Sequence, residues 1–130
     1  GQIDLPINFR PQHPFDNGWM TGRDEKLAGF PRTESEVRRH IAEYYAIISH
    51  LDAAIGRLKD ALNALGILEE TIIVFAGDNG LAVGQHGLMG KQNLYDHSVH
   101  VPLIFSGPGI PQRRTARCFG LSNRYFPYPV

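Results

Sequence analysis

Between Thr33 and Gly66 the chain repeats apolar side chains at steps of three and four: Val37, Ile41, Tyr44, Tyr45, Ile48, Leu51, Ile55, Leu58, Leu62 and Leu65. That period is the period of an α-helix with one apolar stripe. Arg38, Arg39, Glu43, Arg57, Lys59 and Asp60 fill most of the remaining surface. Thr33 with Glu36 has the form of a capping box at the helix start, and Gly66 provides a stop. A helix over about residues 34–65 is roughly 48 Å long. Such a stripe demands a large partner surface, and this demand constrains the fold more than any other feature.

The segments that follow supply candidates for that surface. Thr71 to Ala76 is β-branched and apolar without alternation, the pattern of a strand buried on both faces. Val101-Pro102-Leu103-Ile104-Phe105 is a second strand, closed by Gly107-Pro108-Gly109, with Pro102 near its start or on an edge. The expectation is an α/β fold in which one long helix packs on a fragment of a mixed sheet. Residues 1–33, with four prolines and no sustained period, read as an irregular arm. Two strands and one helix do not complete a sheet, so the chain reads as a piece of a larger domain.

Composition limits the function classes. In 130 residues, 13 basic and 13 acidic side chains cancel, which argues against a nucleic-acid binder. No apolar run is long enough to span a bilayer as a helix. The lone Cys118 excludes an intramolecular disulfide. There is no initiator Met, so Gly1 is not read as a natural start.

The chemistry-bearing residues cluster after the first strand: Gly77-Asp78-Asn79-Gly80, then Gly84-Gln85-His86-Gly87, then Gly90-Lys91. Loops at the carboxyl ends of strands collect sites in open α/β sheets. Asp78 and Asn79 offer the oxygen ligands that hard cations such as calcium prefer. Lys91 offers a point charge suited to an oxyanion. Asp-Asn-Gly is equally an ordinary turn sequence.

The elements Tyr44-Tyr45-Ala46, His50-Leu51-Asp52, Ile73 to Gly80, Gly84 to Lys91, Leu94 to Ser98 and Val101 to Ile104 together resemble the sulfatase family. The likeness runs from about Leu5 to Gly109, and Phe15 to Gly18 and Arg23-Asp24-Glu25 are similar to a bacterial arylsulfatase-type subgroup. The resemblance implies the alkaline-phosphatase-like α/β fold and hydrolysis of sulfate esters with a formylglycine and a calcium ion. On the same basis, Asp78 and Asn79 match the family's metal-binding pair and Lys91 its sulfate-contacting lysine. A related phosphodiesterase or phosphonate monoester hydrolase of the same superfamily is the alternative, and a non-enzymatic remnant is a third.

Departures from the family pattern limit what the chain can do. No Cys or Ser followed by x-Pro-x-Arg, the source of formylglycine, occurs in it. The family's first acidic ligand pair and its upstream lysine and histidines are absent too, so the expectation is an inactive fragment whose partner is the missing N-terminal part of the same domain. His100 stands where an arginine often precedes Val-Pro. His86 and His97 read as loop-structuring residues, His50 as a helix anchor and His40 as solvent-facing. His13 is not matched to a family histidine. The domain reading is an arm over 1–33, a catalytic-domain fragment over 34–116 and an aberrant tail over 117–130. Shifting the reading frame of a family-like codon string by two bases reproduces Arg117 to Val130 and a stop, so a frameshift is the expected origin of the tail.

Overall fold

The computed structural model describes residues 3–16 and 18–111. The 117–130 tail lies outside the described residues. The element order is a 3-10 helix at Asp24–Leu27, α1 (Glu34–Ala64), a 3-10 helix at Leu68–Glu70, β1 (Ile73–Ala76), α2 (Asp96–Val99) and β2 (Leu103–Ser106).

Local chemistry sets the ends of α1. Thr33 is extended, and its Oγ1 accepts from the Glu36 N–H at 3.3 Å, satisfying one of the unpaired first-turn donors. At the other end Gly66 takes φ +71°, a left-handed conformation open to glycine. Its N–H reaches Asn63 O at 2.9 Å and the Ile67 N–H reaches Leu62 O at 3.1 Å, which closes a Schellman turn.

The strands pair antiparallel, with Ile73 opposite Ser106 and Ala76 opposite Leu103. Each differs from its expected span for a physical reason. Thr71 is drawn into the preceding 3-10 turn, where its N–H meets Leu68 O and its Oγ1 meets Ile67 O. Pro102 has no N–H to give, so its carbonyl alone extends the pairing, accepting from Gly77 at 3.0 Å.

Among the described residues the sheet is an antiparallel pair, consistent with a fragment of a larger sheet. Two expectations about packing are corrected. The helix does not pack on the sheet: among the elements, α1 comes within 8 Å, Cα to Cα, of the Leu68–Glu70 turn and of neither strand. The stripe is largely open, with Ile48 46% and Leu51 44% exposed, while Ile55 and Leu62 are half-buried. The strands are not buried on both faces either, since every residue of β2 is exposed and β1 alternates between half-buried and exposed. The apolar pattern on these elements anticipates a cover that the described residues do not supply.

The core lies elsewhere. Val37 and Ile41, from the first turns of α1, pack with Ala28, Val83 and Met89, and with Ile3, Leu5, Phe9 and Leu81 around them. Residues 3–33 thus hold little regular structure yet form one wall of the core. They are stitched to the loop after β1 by an isolated bridge between Phe9 and Gln85 and by the His86 N–H to Asn8 O at 2.9 Å. Arg32 and Glu25 complete the seam. The Arg32 side chain is fully enclosed and pairs with Glu25 through Nη2. Its Nε donates to Gly87 O at 2.8 Å and its Nη1 to Ala28 O at 2.6 Å. Glu25 Oε2 also accepts from the Met89 N–H at 3.1 Å. Burial pulls the Arg32 pKa below its ordinary value, and the Glu25 carboxylate opposes that pull.

Removing one partner of such a buried pair strands the other charge, at a cost of about 3–5 kcal/mol. Glu25→Ala is expected to lower stability by that order in urea denaturation. Leu51→Asp, on the open stripe, is expected to cost less than about 1 kcal/mol. A Leu51→Asp loss as large as that of Glu25→Ala would contradict the placement of the core.

Candidate functional site

β1 ends at Ala76 and hands the chain through Gly77 to Asp78-Asn79-Gly80. Gly80 lies against α2, its N–H donating to Ser98 O at 2.9 Å. A Cβ built there would stand 1.9 Å from His97 O, so only glycine fits. The Asn79 side chain is oriented by its Nδ2, which donates to Gly80 O at 2.9 Å. Its Oδ1 is thereby left to accept from Lys91 Nζ at 2.9 Å. Two of the three sequence-selected site residues, Asn79 and Lys91, are joined across twelve positions. Asp78 is adjacent and exposed, and its Oδ1 accepts from the Asn79 N–H at 2.9 Å.

Asn79 and Lys91 line a cavity of about 340 Å³, and Asp78 is not among its lining residues. Arg23, Asp24, Leu27 and Tyr44 line it as well, with Gly80 and Leu81. Arg23 Nε donates to Asp24 Oδ1 at 2.7 Å. This bond from Arg23 is the main reason the Asp24 carboxyl sits below its usual range; burial opposes it, while a hydrogen bond from Gln92 and the charge of Lys91 add to it. The same bond raises the Arg23 pKa. Gly90 lies beside this segment: a Cβ on it would stand 3.6 Å from Asp24 Cβ, an ordinary contact, and 2.9 Å from Glu25 Oε1.

Sequence reasoning missed the roles of Arg23, Asp24 and Tyr44 in this cavity. Arg23-Asp24-Glu25 stood out in the sequence only as part of a resemblance, and Tyr44 as part of the helix stripe. Their link to Lys91 depends on a tertiary contact that no spacing reports.

A histidine cluster supports the same loop from behind. His86 holds φ +54°, and Asn8 Nδ2 donates to its Nε2 at 2.9 Å. Its ring stacks on Tyr95 with centroids 4.1 Å apart, and His97 lies 6.0 Å from it. His13 Nε2 lies 3.3 Å from the Tyr95 hydroxyl. His97 Nε2 is buried and has no hydrogen-bond partner among the described residues. His40 is half-buried against Leu27 O, at 3.1 Å, and not simply solvent-facing.

In kind, the donors after β1 fit a hard cation, which takes six to eight oxygens. In number they fall short. Asp78 and Asn79 supply two side-chain oxygen sources, one already receiving the Lys91 hydrogen bond, and no three His, Cys, Asp or Glu side chains converge among the described residues. They suit part of a shell completed by other groups. No helix among the described residues is long and apolar enough to cross a membrane.

Residues 13–127 match the sulfatase family model, and the chain belongs to the sulfatase family. It is 43% identical over 81 residues to a choline-sulfatase of Rhizobium meliloti (strain 1021), covering 62% of this chain and 16% of that protein. It is 44% identical over 85 residues to human iduronate 2-sulfatase, covering 65% of this chain and 15% of that one. With arylsulfatase K of Danio rerio it shares 32% identity over 111 residues, 84% of this chain and 21% of the relative. The matches thus span about a fifth or less of these relatives' lengths.

A pH dependence of stability is expected from His97. Burial is the main reason the His97 pKa lies below its usual 6.5, His86 lowers it further, and Asp96 opposes. As pH falls, the unfolded chain takes the proton first. Stability from the neutral ring is present above the unfolded pKa and is lost as pH falls through the folded one. The urea midpoint is expected to drop between about pH 7 and pH 5, and His97→Asn is expected to flatten that drop. An equal drop in the variant would contradict this role.

Proposed function

We propose that this chain carries the cation-and-lysine side of a sulfuric ester hydrolase site. Asp78 and Asn79 contribute oxygen donors to a divalent cation such as Ca²⁺, and Lys91 contributes a fixed positive charge to the sulfate group of the ester. The observation that carries this reading is Lys91 Nζ held 2.9 Å from Asn79 Oδ1 at the edge of a cavity that both residues line. That hydrogen bond points the ammonium to a defined position before any substrate arrives, which is the form electrostatic stabilisation of developing charge takes in enzymes. A bound divalent cation supplies Lewis acidity toward the sulfate oxygens.

Lys91 binds and orients the oxyanion, and Asn79 keeps Lys91 from swinging into solvent. Asp78, beside Asn79 and exposed, offers the carboxylate. The formylglycine nucleophile and the other acidic ligands belong, in this reading, to the remainder of the catalytic domain. The chain alone then binds an oxyanion weakly and turns nothing over, because it holds no activated nucleophile.

Two measurements test the reading. The purified chain with an aryl sulfate and added calcium is expected to show no turnover. Turnover that vanishes in Asp78→Ala would contradict the predicted inactivity. Titration with inorganic sulfate is expected to shift the amide signals of Asn79 and Lys91. Lys91→Ala is expected to weaken that binding by about tenfold or more, the loss of a hydrogen bond to a charged group worth about 1.5–3 kcal/mol. Sulfate affinity unchanged by Lys91→Ala would remove the lysine from the site.

A further inference from the structure

The loop after β1 contains a chemically reactive step. A main-chain nitrogen that follows an asparagine can attack the side-chain amide carbon and close a five-membered ring. Glycine in the following position favours that attack, because no Cβ shields its nitrogen. Asn8, Asn63 and Asn93 precede Phe9, Ala64 and Leu94, whereas Asn79 precedes Gly80. The fold cannot replace this glycine, since a Cβ at Gly80 would stand 1.9 Å from His97 O. Packing against α2 therefore demands the residue that makes the step labile.

The same packing restrains the step. The attacking nitrogen must give up its proton, and the Gly80 N–H donates to Ser98 O at 2.9 Å. The leaving nitrogen, Asn79 Nδ2, donates to Gly80 O at 2.9 Å. Asn79 Oδ1 accepts from Lys91 Nζ at 2.9 Å, which fixes the plane of the amide. Both nitrogens and the amide oxygen are thus held by hydrogen bonds. One side chain anchors α2 in turn: Asn93 Oδ1 accepts from the Tyr95 N–H at 3.1 Å and from Ser98 Oγ at 2.9 Å.

We propose that Asn79 is a site of spontaneous deamidation, and that the contact of Gly80 with α2 sets its rate. Gly80 N bonds to Asn79 Cγ, the Cγ–Nδ2 bond breaks, and ammonia departs with the proton of Gly80 N. Water then opens the cyclic imide at either carbonyl. One opening leaves aspartate at position 79. The other leaves isoaspartate, whose main chain is longer by one methylene. Ring closure requires the Gly80–Ser98 bond to open, so the folded chain reacts through local opening and the rate follows its free energy. Isoaspartate cannot keep Gly80 in place against His97 O, where the backbone has no spare room.

The test follows the full chain by mass spectrometry of its peptides, in native buffer and in guanidinium chloride at the same neutral pH. In guanidinium chloride Asn79 is expected to convert to mixed aspartate and isoaspartate. In native buffer it is expected to convert at least about tenfold more slowly, the factor that ~1.4 kcal/mol of opening sets. Asn93→Ala releases α2 and leaves Asn79 and Gly80 untouched. It is expected to speed the conversion in native buffer several-fold, with the helical circular dichroism signal retained. An Asn79 that stays intact in guanidinium chloride overturns the proposal. Equal rates in the two buffers, or a folded Asn93→Ala chain that converts no faster than the unaltered one, also overturn it. If Asn93→Ala loses the helical signal, the comparison of the two buffers decides.

Discussion

The carboxylate of Glu25 is shared between two demands that lie far apart in sequence. It neutralises Arg32, seven residues on, and it accepts the backbone N–H of Met89, sixty-four residues on. Arg32 in turn spends its remaining donors on the carbonyls of Gly87, Ala28 and Glu25. An ion pair this enclosed is affordable only when nearly every donor and acceptor is met. Meeting them fixes the path of the loop from Gly87 to Met89, and Lys91 is two residues further along. The position of the lysine therefore follows from a charged pair that never touches the cavity.

Around this seam the molecule divides into a closed part and an open part. Val37, Leu88 and Met89 are almost wholly enclosed, as in the interior of any folded domain. Beyond Ile41 the helix has no buried residue, and the two strands form a sheet of the size that is marginal by itself in water. Tyr45, Ile48, Leu58, Val74 and Phe105 all stay well exposed. A chain that matches about a fifth or less of its relatives' lengths would be expected to carry uncovered surface of this kind.

What the sequence made legible tracks how local each determinant is. The helix was readable to within a residue at each end because Thr33 and Gly66 act on the turns beside them. The strands were readable in place but not in length, since Thr71 answers to the preceding turn and Pro102 lacks a donor. Burial was misread on Ile48 and Leu51 because periodicity reports which face seeks a partner, and not whether one is present. The described part of segment 1–33 holds little regular structure, yet it reaches the core through Ile3, Leu5, Phe9 and Ala28 and seals it with Glu25 and Arg32, residue types that ordinarily mark a surface. Of the candidate site residues, Asn79 and Lys91 were singled out from two separate motifs, and a hydrogen bond joins them. Arg23 and Asp24 were not, because their nearness to Lys91 is a tertiary contact that sequence spacing does not report.

The Glu25–Arg32 seam, and not the long helix, holds the lysine loop. Amide hydrogen exchange of the whole chain tests it residue by residue, since protection follows the free energy of local opening. The Met89 N–H, bonded to Glu25, is expected to be among the slowest to exchange together with those of Val37 and Ile41, and to outlast amides in the middle of α1 around Leu51. Glu25→Gln is expected to speed exchange at Met89 more than at Leu51. A Met89 amide that exchanges faster than Leu51 in the unaltered chain, or that Glu25→Gln leaves unchanged, would contradict it.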